Sequence, residues 1–95
     1  MDRYWIRSSG NWNDNSHWSD FSGGLSGATI PTSGDSVYFD SSSFTGTSTV
    51  TLDVIGYCSS MIWTGITQNV TFTGSAYALN IYGSIAFPST YLTLV

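Results

Sequence analysis

The sequence predicts an all-β fold, and three observations carry this prediction. Short stretches in which apolar, aromatic and Thr residues alternate recur along the chain, which is the pattern of half-buried strands. Glycines at positions 56, 65, 74 and 83 separate these stretches at a constant spacing, and Pro88 follows shortly after the last of them. No segment keeps the i, i+3, i+4, i+7 apolar spacing of an amphipathic helix over several turns.

Composition limits the classes of protein to which the chain can belong. Its 95 residues are enough for one domain or part of one. Aromatic residues make up 16% and charged residues only 8%, against about 25% charged in ordinary globular proteins, which excludes a disordered chain. The net charge is −4, and Arg3 and Arg7 are the only basic residues. We therefore expect no binding to nucleic acid or to an anionic membrane surface.

Residues 1–36 form an aromatic, Gly/Ser/Asn-rich opening. The aromatic alternation of Tyr4–Arg7 predicts a first strand, and the residues at 8–11 predict a turn. Trp12 and Trp18 then bracket a run of Asn, Asp and Ser, which favour compact turns over a helix. Further turns are predicted at 22–27 and 30–35. We interpret residues 1–36 as an N-terminal cap.

Residues 37–95 contain regularly spaced strands. The predicted strands are Val37–Asp40, Thr49–Asp53, Ser60–Trp63, Val70–Thr73, Ala78–Tyr82, Ser84–Phe87 and Tyr91–Leu94. An apolar–Thr–apolar triplet also recurs at similar intervals, as Val50-Thr51-Leu52, Val70-Thr71-Phe72 and Leu92-Thr93-Leu94. Such an interval is typical of one coil of a β-solenoid. We expect residues 37–95 to be solenoid coils, the first part of a longer repeat array; a small β-sandwich is the alternative.

The opening of the chain resembles a known group of proteins. Its pattern is Tyr4-Trp5, Gly10-Asn11-Trp12, Trp18-Ser19, Gly23-Gly24, Pro31 to Asp35, and a strand that ends at Phe39-Asp40. The β-solenoid proteins of phage genomes and of bacterial surface and autotransporter-like proteins begin in a similar way. Thr49–Asp53 resembles their next strand and Leu79–Ile85 a later coil.

This resemblance implies a right-handed parallel β-helix with an aromatic N-terminal cap. Members of the group are typically fibre-like or associated with virions. The resemblance carries no catalytic residues to this chain. It implies a structural role for the chain rather than an enzymatic one.

The tryptophans support two interpretations. Trp5, Trp12, Trp18 and Trp63 can form a cap and core that close the first coil, because terminal caps are required in repeat folds. Exposed Trp12 and Trp18, together with Tyr4, could instead form a platform on which sugar rings stack. Both interpretations remain open at the level of sequence.

Other candidate chemistry is weak. The aspartates are oxygen ligands of the kind that Ca²⁺ prefers, but their spacing matches no known calcium loop, and Asp35 and Asp40 are better explained as turn formers. Cys58 is predicted to be buried, and His17 is the only imidazole. No nucleophile elbow and no Cys/His cluster for zinc is present in the sequence. We predict no enzyme, metal or cofactor.

These features predict a non-catalytic structural protein, a β-solenoid segment of a phage-like virion fibre or surface decoration. A carbohydrate-binding or adhesin module is the alternative, with glycans as partners. The sequence shows no N-terminal secretion signal and no apolar run long enough for membrane insertion. A chain without such a signal can leave the cell by lysis, as virion proteins do, and we expect it in a virion or at an extracellular surface. Other copies of the chain, or other virion or surface proteins, are expected to bind the C-terminal edge near Val95.

Overall fold

The computed structural model describes residues 1–74, 76–88 and 90–95. Over these ranges the chain forms eleven short strands and one 3-10 turn at Asn15–His17, so the predicted all-β class is confirmed. The strands are β1 Asp2–Trp5, β2 Gly10–Asn11, β3 Trp18–Ser19, β4 Ser36–Phe39, β5 Ser48–Thr51, β6 Gly56–Cys58, β7 Met61–Trp63, β8 Val70–Thr73, β9 Leu79–Ile81, β10 Ile85–Ala86 and β11 Leu92–Leu94.

The strands are arranged in three sheets. The first has the strand order β10-β7-β4-β1-β3, the second has the order β11-β8-β5-β2, and the third contains β6 and β9. Among the described residues seven of the eight strand pairings are parallel, and the pairing of β1 with β3 is antiparallel. The alternative of a small β-sandwich is not confirmed.

From β4 onwards, residues that pair with one another in a sheet are separated by nearly constant intervals along the chain. In the first sheet the successive partners are Val37, Met61 and Ile85, in the second they are Ser48, Val70 and Leu92, and in the third they are Gly56 and Leu79. The interval is the same at both steps of the first sheet and at both steps of the second. From β4 onwards the chain therefore returns to each sheet after an excursion of nearly the same length, whereas the earlier steps from Arg3 to Val37 and from Gly10 to Val50 are longer.

The sequence predicts that the three apolar–Thr–apolar triplets lie opposite one another in neighbouring strands. This prediction is wrong for the first two triplets. That alignment places Val70 opposite Val50, whereas Val70 pairs with Ser48 and the partner of Val50 is Phe72. The same side chains stay on the inner face after this shift, because successive residues of a strand alternate between the two faces. The second step agrees with the expected alignment, since Leu92 pairs with Val70.

One apolar core lies between the sheets. Trp5, Trp12 and Trp18 are completely buried in it. The ring of Phe39 lies at centroid distances of 3.9 to 6.4 Å from aromatic neighbours of several strands and loops, namely Trp5, Trp18, Phe44, Trp63 and Phe72. Interlocked aromatic rings give a small core a large buried area per residue.

The N-terminal region is continuous with the rest of the fold. β1 pairs with β4 in parallel, with Arg3 opposite Val37, and β2 pairs with β5. The boundary expected between residues 36 and 37 falls inside β4, and tryptophans from residues 1–36 share the core with residues from 37–95. Residues 1–36 therefore add strands to two of the three sheets.

Several strand limits differ from the sequence-based prediction. β1 begins at Asp2 and ends at Trp5, whereas the sequence predicts Tyr4–Arg7, because Arg7 and Ser8 have positive φ angles of 69° and 58° that end the strand in a tight turn. Three strands that the sequence does not predict, β2, β3 and β6, are two or three residues long. Such short strands carry too little alternation to stand out in a sequence.

Candidate functional site

The first candidate site is the aromatic cluster near the N-terminus. Trp5 and Trp18 meet edge to face with centroids 5.1 Å apart, and Trp12 meets Trp18 in the same way at 4.9 Å. The Nε1 of Trp18 donates a hydrogen bond of 2.8 Å to the carbonyl of Trp12, and the Nε1 of Trp5 donates one of 2.7 Å to the carbonyl of Ser8. These bonds fix two of the three indoles in the core.

Trp12 and Trp18 cannot be part of a platform on which sugar rings stack. Both side chains have 0% of their surface exposed, so neither offers a ring face to a ligand. Trp63 is also buried. These three tryptophans and Trp5 are buried members of the apolar core.

Tyr4, the third residue of that hypothesis, has a different environment. It lies on the outer face of the first sheet, half-buried, and its ring stacks on Tyr38 with centroids 4.7 Å apart and planes 16° from parallel. Burial raises the pKa of Tyr4, and the carboxylate of Asp2 adds to this effect. Tyr38 is not among the site residues predicted from the sequence, because its place beside Tyr4 depends on the register of β1 and β4. The pair forms a small aromatic surface.

Each aspartate that forms side-chain hydrogen bonds or ion pairs has its own partners, and the aspartates do not come together in one site. Asp35 accepts hydrogen bonds from the amide and hydroxyl of Thr32 and lies 3.2 Å from the amino group of Met1. Burial by itself raises the pKa of Asp35, but these bonds outweigh it and the pKa lies below its ordinary value. The pKa of Asp14 is lowered by its bonds from Ser16, which begin the 3-10 turn.

The other aspartates with side-chain bonds have partners of their own, some of them distant in sequence. Asp20 pairs with Arg3 at 3.1 Å, Asp53 accepts from the amide of Asn13, and Asp40 accepts from serines at positions 22, 42 and 43. Within residues 1–74, 76–88 and 90–95, no three His, Cys, Asp or Glu side chains lie close enough to hold a metal ion together.

His17 and Cys58 are enclosed by the fold. The imidazole of His17 stacks on Trp5 with centroids 4.7 Å apart, and its Nδ1 lies 2.9 Å from the carbonyl oxygen of Ile6. Cys58 is fully buried, and burial raises its pKa to about 11. Neither side chain is placed to react with a substrate in solution. The surface formed by the described residues has no pocket.

The last strand of each of the three sheets lies at the edge of its sheet. In the described part of the chain, β9, β10 and β11 each pair with one neighbour and are edge strands of their sheets. The unpaired edge of each strand leaves backbone N–H and C=O groups available to another strand. All three edges belong to the last excursion of the chain.

Burial decreases towards this end. No described residue after Val70 is buried, although apolar side chains continue to Val95. Seven of the twelve large apolar side chains that the structure shows as exposed come from its final part: Tyr77, Tyr82, Ile85, Phe87, Tyr91, Leu94 and Val95. Exposed apolar surface of this kind occurs at contacts with other molecules, in ligand-binding grooves and on aggregation-prone surfaces.

The same region has no charged side chain. Asp53 is the last Asp, Glu, Lys, Arg or His along the chain, so residues 54–95 are uncharged apart from the terminal carboxylate. Natural sheets protect exposed edges with charged residues, above all Lys, and with Pro. The lack of charged residues after Asp53 is visible in the sequence. The contact predicted from the sequence, however, involves only the edge near Val95. We call the exposed ends of β9, β10 and β11 with their apolar side chains the C-terminal face.

Comparison of the chain with protein-family models, with curated proteins and with solved structures finds no match in any of the three. Among the described residues, no helix has the length and apolar character that crossing a membrane requires.

Proposed function

We propose that the chain is a non-catalytic structural module, a right-handed β-solenoid segment of a phage-like virion fibre or surface decoration. The near-constant interval at which the chain returns to each sheet supports the solenoid, because one strand per sheet and per excursion is the arrangement of stacked coils. The three sheets would form its walls. Continuous parallel ladders would make such a rod stiff.

The aromatic cluster supports a cap at the first coil. Trp5, Trp12 and Trp18 come from residues 1–36 and are completely buried. Without them the interior side chains of β4 and β5, such as Phe39 and Val50, would lie next to water. Covering them is the task of a terminal cap in a repeat fold.

The observation that carries the proposal is the contrast between the two ends of the fold. The tryptophans of residues 1–36 are buried in the core, whereas the C-terminal face has three unpaired strand edges, exposed apolar side chains and no charged side chain. Such a face is an aggregation hazard unless a further coil of the solenoid or another polypeptide covers it. A module that functions as part of a larger assembly has this asymmetry. An extracellular or virion surface is the proposed location.

Immunolabelling of particles tests this proposal. Antibodies against the outer loop at 20–27 would be applied to virus-like particles banded by density from a culture that expresses the chain. We expect the chain in the particle band and the label on projecting fibres or on the particle surface. Recovery of the chain only in the unsedimented fraction would contradict a role in the particle.

Glycan binding is the second candidate function, and the stacked pair Tyr4 and Tyr38 favours it. Half-buried aromatic rings on an outer sheet face can pack against the apolar face of a sugar. In a glycan array, binding that is lost in Tyr38→Ala and retained in Tyr57→Ala, an exposed tyrosine on β6, would support this role. Equal binding by both variants would exclude the pair as the site.

A further inference from the structure

We propose that the outer face of the second sheet binds the surface of ice through a regular array of threonine side chains. Five threonines of three neighbouring strands form this array, which we call the threonine face: Thr49, Thr51, Thr71, Thr73 and Thr93. This inference goes beyond the proposed function. It assigns an activity to the side of the strand ladder, which is independent of what the module is attached to at either end.

The register of the second sheet places these threonines in straight rows. Thr49, Thr71 and Thr93 are successive partners across the three strands, and Thr51 is the partner of Thr73. One inner residue separates the two threonines of β5, and one separates those of β8, so both threonines of each strand lie on the outer face. The threonine face is therefore a two-dimensional lattice with one row of three members and one row of two.

The repeats of this lattice are close to those of ice. Neighbouring strands lie about 4.8 Å apart, and alternate residues of a parallel strand lie about 6.6 Å apart. Oxygen atoms in the prism planes of hexagonal ice repeat at similar distances in two perpendicular directions. Threonine hydroxyls at both repeats can therefore occupy successive oxygen positions of one such plane.

The hydroxyls of the threonine face are available to water. Within the described part of the chain, none of them takes part in a side-chain hydrogen bond of the fold, whereas the hydroxyls of Thr29, Thr32 and Thr45 bond to other side chains. Thr49 and Thr93 are exposed, and the other three members are partly exposed. Each hydroxyl can donate one hydrogen bond to an ordered water layer and accept others from it.

The methyl groups of the threonines provide a second contact with the same layer. Water beside an apolar group has restricted orientational freedom. A lattice in which methyl groups alternate with hydroxyls therefore orders its hydration water before ice reaches it. A charged side chain would disturb this order, and the threonine face has none. Asp53, the carboxylate that follows β5, accepts a hydrogen bond from the amide of Asn13 at the border of the face.

The composition of the face favours ice over a sugar ligand. Sugar rings stack on aromatic side chains, and the threonine face has no aromatic ring. The outer face of the first sheet is different, because Tyr4, Tyr38 and Ile62 are successive register partners there. The two outer faces of the fold therefore suit different ligands.

The small size of the array limits the strength of the effect. Molecules adsorbed on ice hold back the growth front where they bind, and a growing crystal must then bulge between them. With five threonines in each chain, we expect faceted ice crystals and slower recrystallisation, with only a small gap between the melting and freezing temperatures.

Uptake into ice tests the proposal. An ice hemisphere is grown slowly from a dilute solution of the full chain, and tryptophan absorbance measures the protein in the melted ice and in the remaining liquid. We expect the wild-type chain to be enriched in the ice. Thr71→Tyr should abolish this enrichment, because a ring at the centre of the array keeps the ice plane away from the other threonines.

The matched control is Ile62→Tyr. Ile62 is a partly exposed outer residue of β7, as Thr71 is of β8, and Tyr has a high strand propensity at such positions. We expect Ile62→Tyr to enter the ice like the wild type. Thr49→Tyr repeats the test at a more exposed position, and thermal unfolding verifies that each variant is folded.

Three results would overturn the inference. One is exclusion of the folded wild-type chain from the ice, and another is equal uptake of Thr71→Tyr and Ile62→Tyr. The third is binding of the wild-type chain, but not of Thr71→Tyr, to insoluble cellulose or chitin without uptake into ice, which would assign the face to a glycan. None of these results affects the particle-labelling experiment, so this inference and the proposed function can fail separately.

Discussion

The rings of Phe39 and Trp63 stack face to face, with centroids 3.9 Å apart and planes 10° from parallel. These residues are also register partners of β4 and β7. The stack therefore follows the direction in which the strands are added, where neighbouring strands lie about 4.8 Å apart. The ring contact reinforces the backbone ladder of the first sheet at the centre of the core.

The two indoles Trp63 and Trp18 should respond differently to replacement by Phe. The Nε1 of Trp63 is buried and has no hydrogen-bond partner among the described residues, whereas the Nε1 of Trp18 donates to the carbonyl of Trp12. Trp63→Phe removes an unsatisfied donor and keeps a ring on Phe39. We expect Trp18→Phe to lose about 1 to 2 kcal/mol more unfolding free energy, measured by urea denaturation. Equal losses would contradict this account.

Gly10 should not tolerate a side chain. A Cβ at this position would overlap the imidazole of His17, which is held between Trp5 and the carbonyl of Ile6. We expect Gly10→Ala to lower the unfolding free energy by about 1 to 3 kcal/mol, the usual cost of overpacking. Gly34→Ala is the control, because open space surrounds that position, and it should be neutral or stabilising by about 0.4 to 1 kcal/mol.

A double variant separates the clash from other effects at Gly10. Gly10→Ala combined with His17→Ala removes the ring that the new methyl group meets. We expect the double variant to be less destabilised than the sum of the two single changes. Strict additivity would show that the backbone at residue 10, rather than His17, resists the substitution.

Cys58 should make stability depend on alkaline pH. Its pKa is raised to about 11 in the fold from an ordinary 9.0, so the unfolded chain releases this proton first. Stability is therefore expected to be complete below about pH 9 and to decrease as the pH rises towards 11. As the pH rises from about 9 to about 11, the unfolding free energy measured with urea should fall by about 1 to 2 kcal/mol more in the wild-type chain than in Cys58→Ala. Tyrosine ionisation affects both proteins and cancels in the comparison.

Asp35 should contribute to stability at neutral pH and lose this contribution in acid. Its folded pKa lies below the ordinary value of 3.8, so its contribution is present above that pH and disappears as the pH falls through the folded value. We expect Asp35→Asn to cost about 1 kcal/mol at pH 7 and progressively less below pH 4, measured by thermal unfolding. Asp2→Asn, which alters an exposed carboxylate, should show a smaller effect.

The sequence predicts the strands that alternate clearly and misses those whose formation depends on distant residues. β8 has the limits that the sequence predicts, Val70–Thr73, because its residues alternate and a glycine follows. β6 is not predicted because it begins with Gly56, which in sequence is a mark of a turn. A Cβ there would lie 2.8 Å from Leu79 and 2.9 Å from Leu52, so close packing rather than a turn requires this glycine.

The candidate site is only partly predictable. The sequence indicates a C-terminal edge near Val95, but the wider face depends on which strands have a second neighbour, which is a property of the fold. The burial of Trp12 and Trp18 cannot be decided from sequence either, because an indole that stacks on a sugar and one that fills a core have the same sequence. The complete burial of both rings in the fold distinguishes the two cases.

The chain takes a longer path from β1 to β4 than from β4 to β7. Arg3 pairs with Val37 across the first of these steps, whereas Val37 pairs with Met61 across the second. This longer path contains β3, which pairs with β1, and it also contains residues 20–27, which are mostly exposed and belong to no strand. A short peptide grafted into the exposed loop around Leu25 would therefore be displayed at the side of the ladder without disturbing it. The fold has in this loop a ready-made position for carrying a foreign epitope.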